Sequence, residues 1–215
     1  MKLASEGNII IYPLIIAWLL SVVIGYVYNL YSIYIIIGFL TALLVFCLNF
    51  FRDPPRIIPE QDNLILSPAD GKIIKIEDIV DSKSGEKLKL ISIFLSVFNV
   101  HANRMPIDGK FNSVNYVKGQ FLAAFDHKAS DHNERMEISI ETKFGLIKVK
   151  QIAGLVARRI LCYAEKGKKM SAGERLGFIR FGSRTDIILP ARINLSIELD
   201  QKVFGGETIL GVYEE

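Results

Sequence analysis

Charge is missing from one long stretch of this chain. From Gly7 through Phe51 there is no Asp, Glu, Lys or Arg, although the remainder is an ordinary mixture of both signs. Cysteine is scarce as well. Cys47 lies in the uncharged stretch and Cys162 far along the chain, which excludes a disulfide framework and any metal-type cysteine spacing. The three histidines, His101, His127 and His132, form no His-x-x-x-His pattern, so no metal site is expected. No run of like charges accompanies the net charge of +3, which argues against nucleic-acid binding. There is no long repeat, no low-complexity tract and no Gly-x-Ser-x-Gly elbow.

The uncharged stretch is long enough for two spanning helices of roughly 20 residues each. They are expected near residues 9–28 and 35–51, joined by a polar-aromatic turn, Asn29-Leu30-Tyr31-Ser32. Tyr26, Tyr28, Tyr31 and Tyr34 gather at that turn, as an interfacial aromatic belt would. Lys2 precedes the first span, and Arg52 and Arg56 follow the second, while the turn has no positive charge. The positive-inside rule then puts both ends, and the domain that follows, on the cytoplasmic face of the cell membrane. The stretch is too long for a cleaved signal peptide and lacks its small-residue cleavage site. A buried helical hairpin of a soluble protein is disfavoured because every face of both segments is apolar.

After Asp53-Pro54-Pro55 the pattern changes, because the prolines stop the helix. The division expected is an anchor over residues 1–56 and a β-rich domain over residues 57–215. Short β-type runs recur at Leu64–Ser67, Lys72–Ile76, Lys89–Leu95, Arg135–Glu141, Leu146–Ile152, Gly177–Phe181 and Ile193–Leu199. Met136 to Glu141 alternates apolar and polar, as a half-buried strand does. Ser67–Ile73 and Gly167–Gly177 look like pieces of a lipoyl-type β-sandwich. The fold class expected is therefore mainly β, a lipoyl-like barrel-sandwich domain behind a two-helix transmembrane hairpin. No lysine sits at a hairpin tip between Met or Val neighbours, so a lipoyl carrier is unsupported.

Three places carry chemistry. His101 follows a strongly apolar strand; His127 and His132 lie in a polar stretch, Asp126–Glu134, that reads as a loop. Asp70 precedes Gly71, which by itself reads as a turn cap. Gly182-Ser183 follows a β run, and a glycine there permits unusual backbone angles while leaving its carbonyl open to the serine oxygen.

The order of these pieces resembles the short class of phosphatidylserine decarboxylases over nearly the whole chain. The resemblance rests on Phe50-Phe51-Arg52-Asp53-Pro54-Pro55-Arg56, Ser67-Pro68-Ala69-Asp70-Gly71 and Asn99-Val100-His101-Ala102-Asn103-Arg104-Met105-Pro106. It continues through Lys128-Ala129-Ser130, Asn133-Glu134-Arg135, Gly154-Leu155-Val156-Ala157-Arg158-Arg159-Ile160 and Arg180-Phe181-Gly182-Ser183-Arg184. It implies a zymogen that cuts itself between Gly182 and Ser183 into a β chain, 1–182, and an α chain, 183–215, which stay together as a heterodimer or a higher oligomer. Ser183 would become a covalent pyruvoyl group, the only cofactor implied, and form a Schiff base with the amine of phosphatidylserine to give phosphatidylethanolamine. His101 would be the acid that reprotonates the substrate, since histidine titrates near neutrality. Asp70 matches the aspartate of an Asp-His-Ser arrangement for self-cleavage. Longer members carry a second histidine where this chain has Arg104, which leaves open the group that deprotonates Ser183. Arg104, Arg158 and Arg159 are expected at the substrate, and Arg52 and Arg56 could also attract an anionic headgroup. The competing readings are a membrane-tethered lipoyl-like binding module without catalysis, and a decarboxylase of another serine-headed lipid.

Overall fold

Two apolar helices lead the chain, α1 (Asn8–Tyr28) and α2 (Tyr31–Phe50). The computed structural model describes residues 2–28, 31–81, 84–124, 129–155, 159–180 and 182–213. Both helices are long and apolar enough to cross a membrane. They form a hairpin in which Trp18 Nε1 donates to Thr41 Oγ1 at 2.8 Å, and that hydroxyl donates to the Ile37 carbonyl at 2.7 Å. The open end is tied by the Ala4 N–H to Phe51 O (2.7 Å) and the Asp53 N–H to Lys2 O (2.9 Å). Ile16, Leu20, Phe39 and Val45 are all more than half exposed, the surface of helices whose apolar sides await a non-aqueous neighbour. The second helix starts four residues earlier than its expected position. Tyr31, Ser32 and Tyr34 extend it instead of forming the turn, because neither tyrosine nor serine breaks helical geometry. Asn29 and Leu30 lie outside the described residues.

The chain divides into two units, Met1–Pro55 and Arg56–Glu215. Among its described residues the second unit has fourteen strands: β1 (Leu64–Leu66), β2 (Gly71–Val80), β3 (Lys87–Leu95), β4 (Ala102–Arg104), β5 (Gly109–Val117), β6 (Arg135–Thr142), β7 (Gly145–Ala153), β8 (Ile160–Cys162), β9 (Lys169–Met170), β10 (Arg175–Ile179), β11 (Ser183–Pro190), β12 (Ile193–Leu195), β13 (Lys202–Val203) and β14 (Ile209–Tyr213). An eight-stranded sheet runs β13-β2-β3-β11-β7-β6-β5-β9, and two three-stranded sheets run β1-β14-β12 and β4-β10-β8. All pairings between these strands are antiparallel. The mainly β class stands, with apolar side chains of every other residue filling one core. Ile91, Ile93 and Leu95 of β3, Ile147 and Val149 of β7, and Ile187 and Leu189 of β11 meet there.

Three local readings change. The run predicted over Ile193–Leu199 pairs only to Leu195, because the chain then turns, with the Glu198 N–H on Gln201 Oε1 and Asp200 at φ 68°. The strand expected over Gly177–Phe181 is Arg175–Ile179; Phe181 lies outside the described residues. Within Asp126–Glu134, Ala129–His132 is one helical turn, α3, rather than loop, while Asp126, His127 and Lys128 lie outside the described residues.

Candidate active site

β11 occupies an inner place in the large sheet, where Ser183 pairs with Leu95 of β3 on one side and Ala153 of β7 on the other. Strand periodicity sends Ser183 and Thr185 to the same face as Ile187 and Leu189, toward the core. Ser183, Arg184, Thr185 and Asp186 are all 1% exposed or less. The Ser183 hydroxyl is buried and has no hydrogen-bond partner among the described residues. Buried hydroxyls are normally paired, so an unpaired one at a strand start makes Ser183 a candidate for chemistry.

The residue before it has an unusual backbone. Gly182 sits at φ +64°, where side chains are disfavoured. Its N–H donates to His101 Nε2 at 3.2 Å, and His101 Nδ1 lies 2.9 Å from the Asn99 carbonyl. A carbonyl only accepts, so Nδ1 carries the proton and Nε2 presents its lone pair to the segment around Gly182. His101 is fully buried and held by a turn, in which Asn99 Oδ1 accepts from the Ser96 N–H (2.9 Å) and hydroxyl (2.7 Å). The Ile179 N–H closes the same segment by donating to the His101 carbonyl at 3.1 Å.

Asn103 stitches the separate motifs together. Its Nδ2 donates to Thr185 Oγ1 at 2.9 Å and reaches the Pro68 carbonyl at 3.3 Å, while its Oδ1 accepts from Gln151 Nε2 at 2.8 Å. The Asp70 turn, the His101 segment, β7 and β11 therefore share one buried polar cluster. Gln151 Oε1 is buried there without a partner among the described residues. Asn103 lay inside a motif visible in the sequence, but nothing in the sequence gave it a role.

Asp70 is engaged elsewhere in the same region. Its carboxylate takes both hydrogen bonds of one Arg56 nitrogen, at 2.8 and 2.9 Å, and accepts the Gly205 N–H at 2.8 Å. Arg56 also bonds Glu207 Oε2 at 3.0 Å, and Glu207 Oε1 accepts the Ile57 N–H at 3.1 Å. The Arg56 side chain is only 6% exposed, so it serves this ion-pair cluster and is not displayed toward a headgroup. Burial alone would make Arg56 easier to deprotonate; the Asp70 carboxylate more than reverses that and holds the guanidinium charged. Burial would likewise raise the Glu207 carboxyl. The Ile57 N–H and Arg56 outweigh it and hold the carboxyl below its ordinary range.

The sign of that shift gives a test. A depressed carboxyl adds stability above its unfolded pKa of about 4.3 and loses it as pH falls through the folded value. The Tm difference between wild type and Glu207→Gln is therefore expected to be full at about pH 6 and to shrink toward about pH 3. A difference independent of pH would exclude this coupling.

On the other face of β11, Arg184 Nε donates to Asp186 Oδ1 at 2.7 Å and Nη2 to Ser92 Oγ at 2.6 Å, while Ser130 of α3 bonds Asp186 Oδ2. Removing one partner of such a buried pair strands a charge, at roughly 3–5 kcal/mol. The pair thus fixes the strand that begins at Ser183. Arg104 Nη1 donates to the Gly173 carbonyl at 3.0 Å and its charge acts on Glu207, so it borders the Asp70 cluster. Arg159 is exposed and its carbonyl accepts the Arg180 N–H at 3.2 Å; Arg158 lies outside the described residues. The ion pair through Arg56 joins residues 14 and 151 positions apart, a contact that no local pattern announces.

Comparison with known proteins gives the family. The phosphatidylserine decarboxylase family profile matches residues 43–211. A phosphatidylserine decarboxylase proenzyme of Ehrlichia ruminantium (strain Gardel) is 48% identical over 98% of this chain and 91% of its own. Relatives of the same name from Chlorobium chlorochromatii and Burkholderia lata are 45% and 48% identical, covering 83% and 80% of this chain and 84% and 81% of theirs. With a family profile over most of its length and relatives this similar, the chain belongs to the phosphatidylserine decarboxylase family.

Proposed function

We propose that this protein decarboxylates phosphatidylserine to phosphatidylethanolamine, using a pyruvoyl group that it makes from Ser183 by cutting itself after Gly182. The observation that carries this reading is the buried, unpartnered Ser183 hydroxyl, next to a left-handed glycine whose N–H is held by His101. In the first step Ser183 Oγ adds to the Gly182 carbonyl carbon. The bond from that carbon to the Ser183 nitrogen breaks, the hydroxyl proton passes to that nitrogen, and an ester replaces the amide. Loss of the Ser183 Cα proton then breaks the Cβ–Oγ bond and releases residues 1–182 with a Gly182 carboxylate. Water replaces the remaining nitrogen at residue 183, and ammonia leaves.

The surroundings suit such a group in one respect: residue 183 is shielded from water. When formed, the pyruvoyl carbonyl supplies the electron sink that loss of CO₂ from an amino acid requires. His101 is assigned the proton movements at this site, as base for Ser183 and as acid toward the substrate's α-carbon. Asp70, paired with Arg56, completes the polar setting; Arg104, Arg158 and Arg159 are the proposed contacts for an anionic headgroup. No metal and no diffusible cofactor is needed.

The new chain end at residue 183 would open a strand paired on both sides by the larger chain, so the two chains stay associated. The helical hairpin anchors the protein in the cell membrane, where its lipid substrate resides, and the positive-inside rule keeps the catalytic unit cytoplasmic.

Intact-mass spectrometry of the detergent-solubilised protein tests the reading first. Two chains split after Gly182 are expected, the smaller with a pyruvoyl-blocked N-terminus. Conversion of phosphatidylserine, assayed beside an ether-linked serine lipid, then fixes the substrate. A folded, single, uncut chain without activity would return the protein to the binding-module class.

A further inference from the structure

Two glycines flank the bond between Gly182 and Ser183, and they are required for different reasons. Gly182 has open space at its missing side chain, where the nearest atom is Val97 Cγ1 at 3.9 Å, so its left-handed φ is what demands glycine. Gly154 is the reverse. It is absent from the positive-φ residues, yet a Cβ on it would lie 2.3 Å from the Gly182 carbonyl oxygen and 3.2 Å from the Gly182 carbonyl carbon. The Ala124 Cβ, 3.2 Å from the same point, closes the other side. The carbonyl crowded there is the one that Ser183 Oγ must attack.

We infer that Gly154 is a positioning residue for self-cleavage: its missing side chain is the space in which the Gly182 carbonyl lies. This rests on the self-cleavage reading above. The register explains the placement. Ala153 ends β7 and pairs with Ser183, which begins β11, so Gly154, just after β7, faces Gly182, just before β11. Gly154 also opens the loop that follows β7, where the two backbones approach too closely for any side chain. Any substitution must push the carbonyl away or rotate its plane. Either movement changes the approach of Ser183 Oγ to the carbonyl carbon while leaving the nucleophile, His101 and Asp70 chemically intact. A shift of about 1 Å at a reacting centre costs on the order of 100-fold in rate.

The test follows cutting by intact mass in the full-length, detergent-solubilised chain, scored on protein that shows a cooperative thermal transition. Gly154→Ala is expected to cut about 100-fold more slowly than wild type. Gly109→Ala is the matched control. Its Cβ would meet Ile140 Cγ2 at 2.5 Å and Glu141 O at 2.8 Å, so it suffers comparable crowding far along the sheet. It is expected to lower Tm and leave the cutting rate unchanged. Hydroxylamine, which cleaves an ester at Gly182, supplies a readout that a merely structural role does not move. Uncut Gly154→Ala is expected to be insensitive to it, because slowed ester formation leaves no ester to accumulate. Cutting at the wild-type rate, or accumulation of a hydroxylamine-sensitive ester, overturns the assignment.

Should Gly154→Ala not fold, Ala124→Val crowds the same space from the opposite wall and is expected to slow cutting to a lesser degree. Wild-type cutting in that folded variant also overturns the assignment. A folded wild-type chain that never cuts removes the self-cleavage reading itself, and the role of Gly154 with it.

Discussion

Ser183→Ala is expected to remain one uncut chain, inactive on lipid, and no less stable than the uncut wild type. The substitution removes a single oxygen, and that oxygen is buried without a partner. Burying a hydroxyl without a hydrogen bond is unfavourable, so its removal costs the fold little and is expected to change stability by no more than about 1 kcal/mol in the unfavourable direction. All of the chemistry depends on it, since no other atom of residue 183 can form the ester with Gly182 whose elimination leads to the cofactor. Intact mass, Tm and lipid turnover together check this. A cleaved and active Ser183→Ala would sink the mechanism, while a large loss of Tm would show that the hydroxyl has a structural partner after all.

The second large effect is expected at His101, where two substitutions separate holding from proton transfer. His101→Ala removes both the acceptor for the Gly182 N–H and the ring that packs near Phe178, with centroids 6.4 Å apart. A buried N–H left unpaired costs about 1–3 kcal/mol, so this variant is expected to melt lower than wild type. His101→Gln can still present an acceptor to the Gly182 N–H, but it cannot carry a proton between groups. Both variants are expected to lose lipid decarboxylation by about 100- to 10,000-fold, the usual range for a positioned acid or base. The glutamine variant is expected to retain more cleavage than the alanine variant, because the Gly182 backbone stays held. Wild-type turnover in either would remove His101 from the proton transfers. Equal cleavage in the two would show that the contact with Gly182 does not guide the first step.

Some of this molecule is legible one residue at a time. The hairpin follows from composition, because a stretch without charge as long as two spans has few other uses. β6 follows from the alternation of Met136 to Glu141, which records one buried and one wetter face. β11 has no such signature. Its first four residues are polar and its next three apolar, since both faces are buried: Arg184 and Asp186 neutralise each other against Ser92 on one face, and on the other Thr185 joins a polar cluster while the Ser183 hydroxyl stays unpaired among the described residues. β5 is obscured differently. An irregularity between Phe111 and Ser113 shifts its pairing with β6 and breaks the period of two.

The site divides along the same line. The sequence alone determined the family and named the proposed reactive groups, because Ser183 after Gly182, His101 and Asp70 each sit in short motifs whose order matches one family. Only the tertiary structure decided their working partners. It turned Arg56 from an exposed cation into the buried mate of Asp70, made Asn103 the link among three motifs, and set Gly154 against the Gly182 carbonyl. The physical reason is range. A motif records chemistry carried by neighbouring residues, whereas ion pairs, shared polar clusters and steric vacancies arise between segments that meet only when the sheets close.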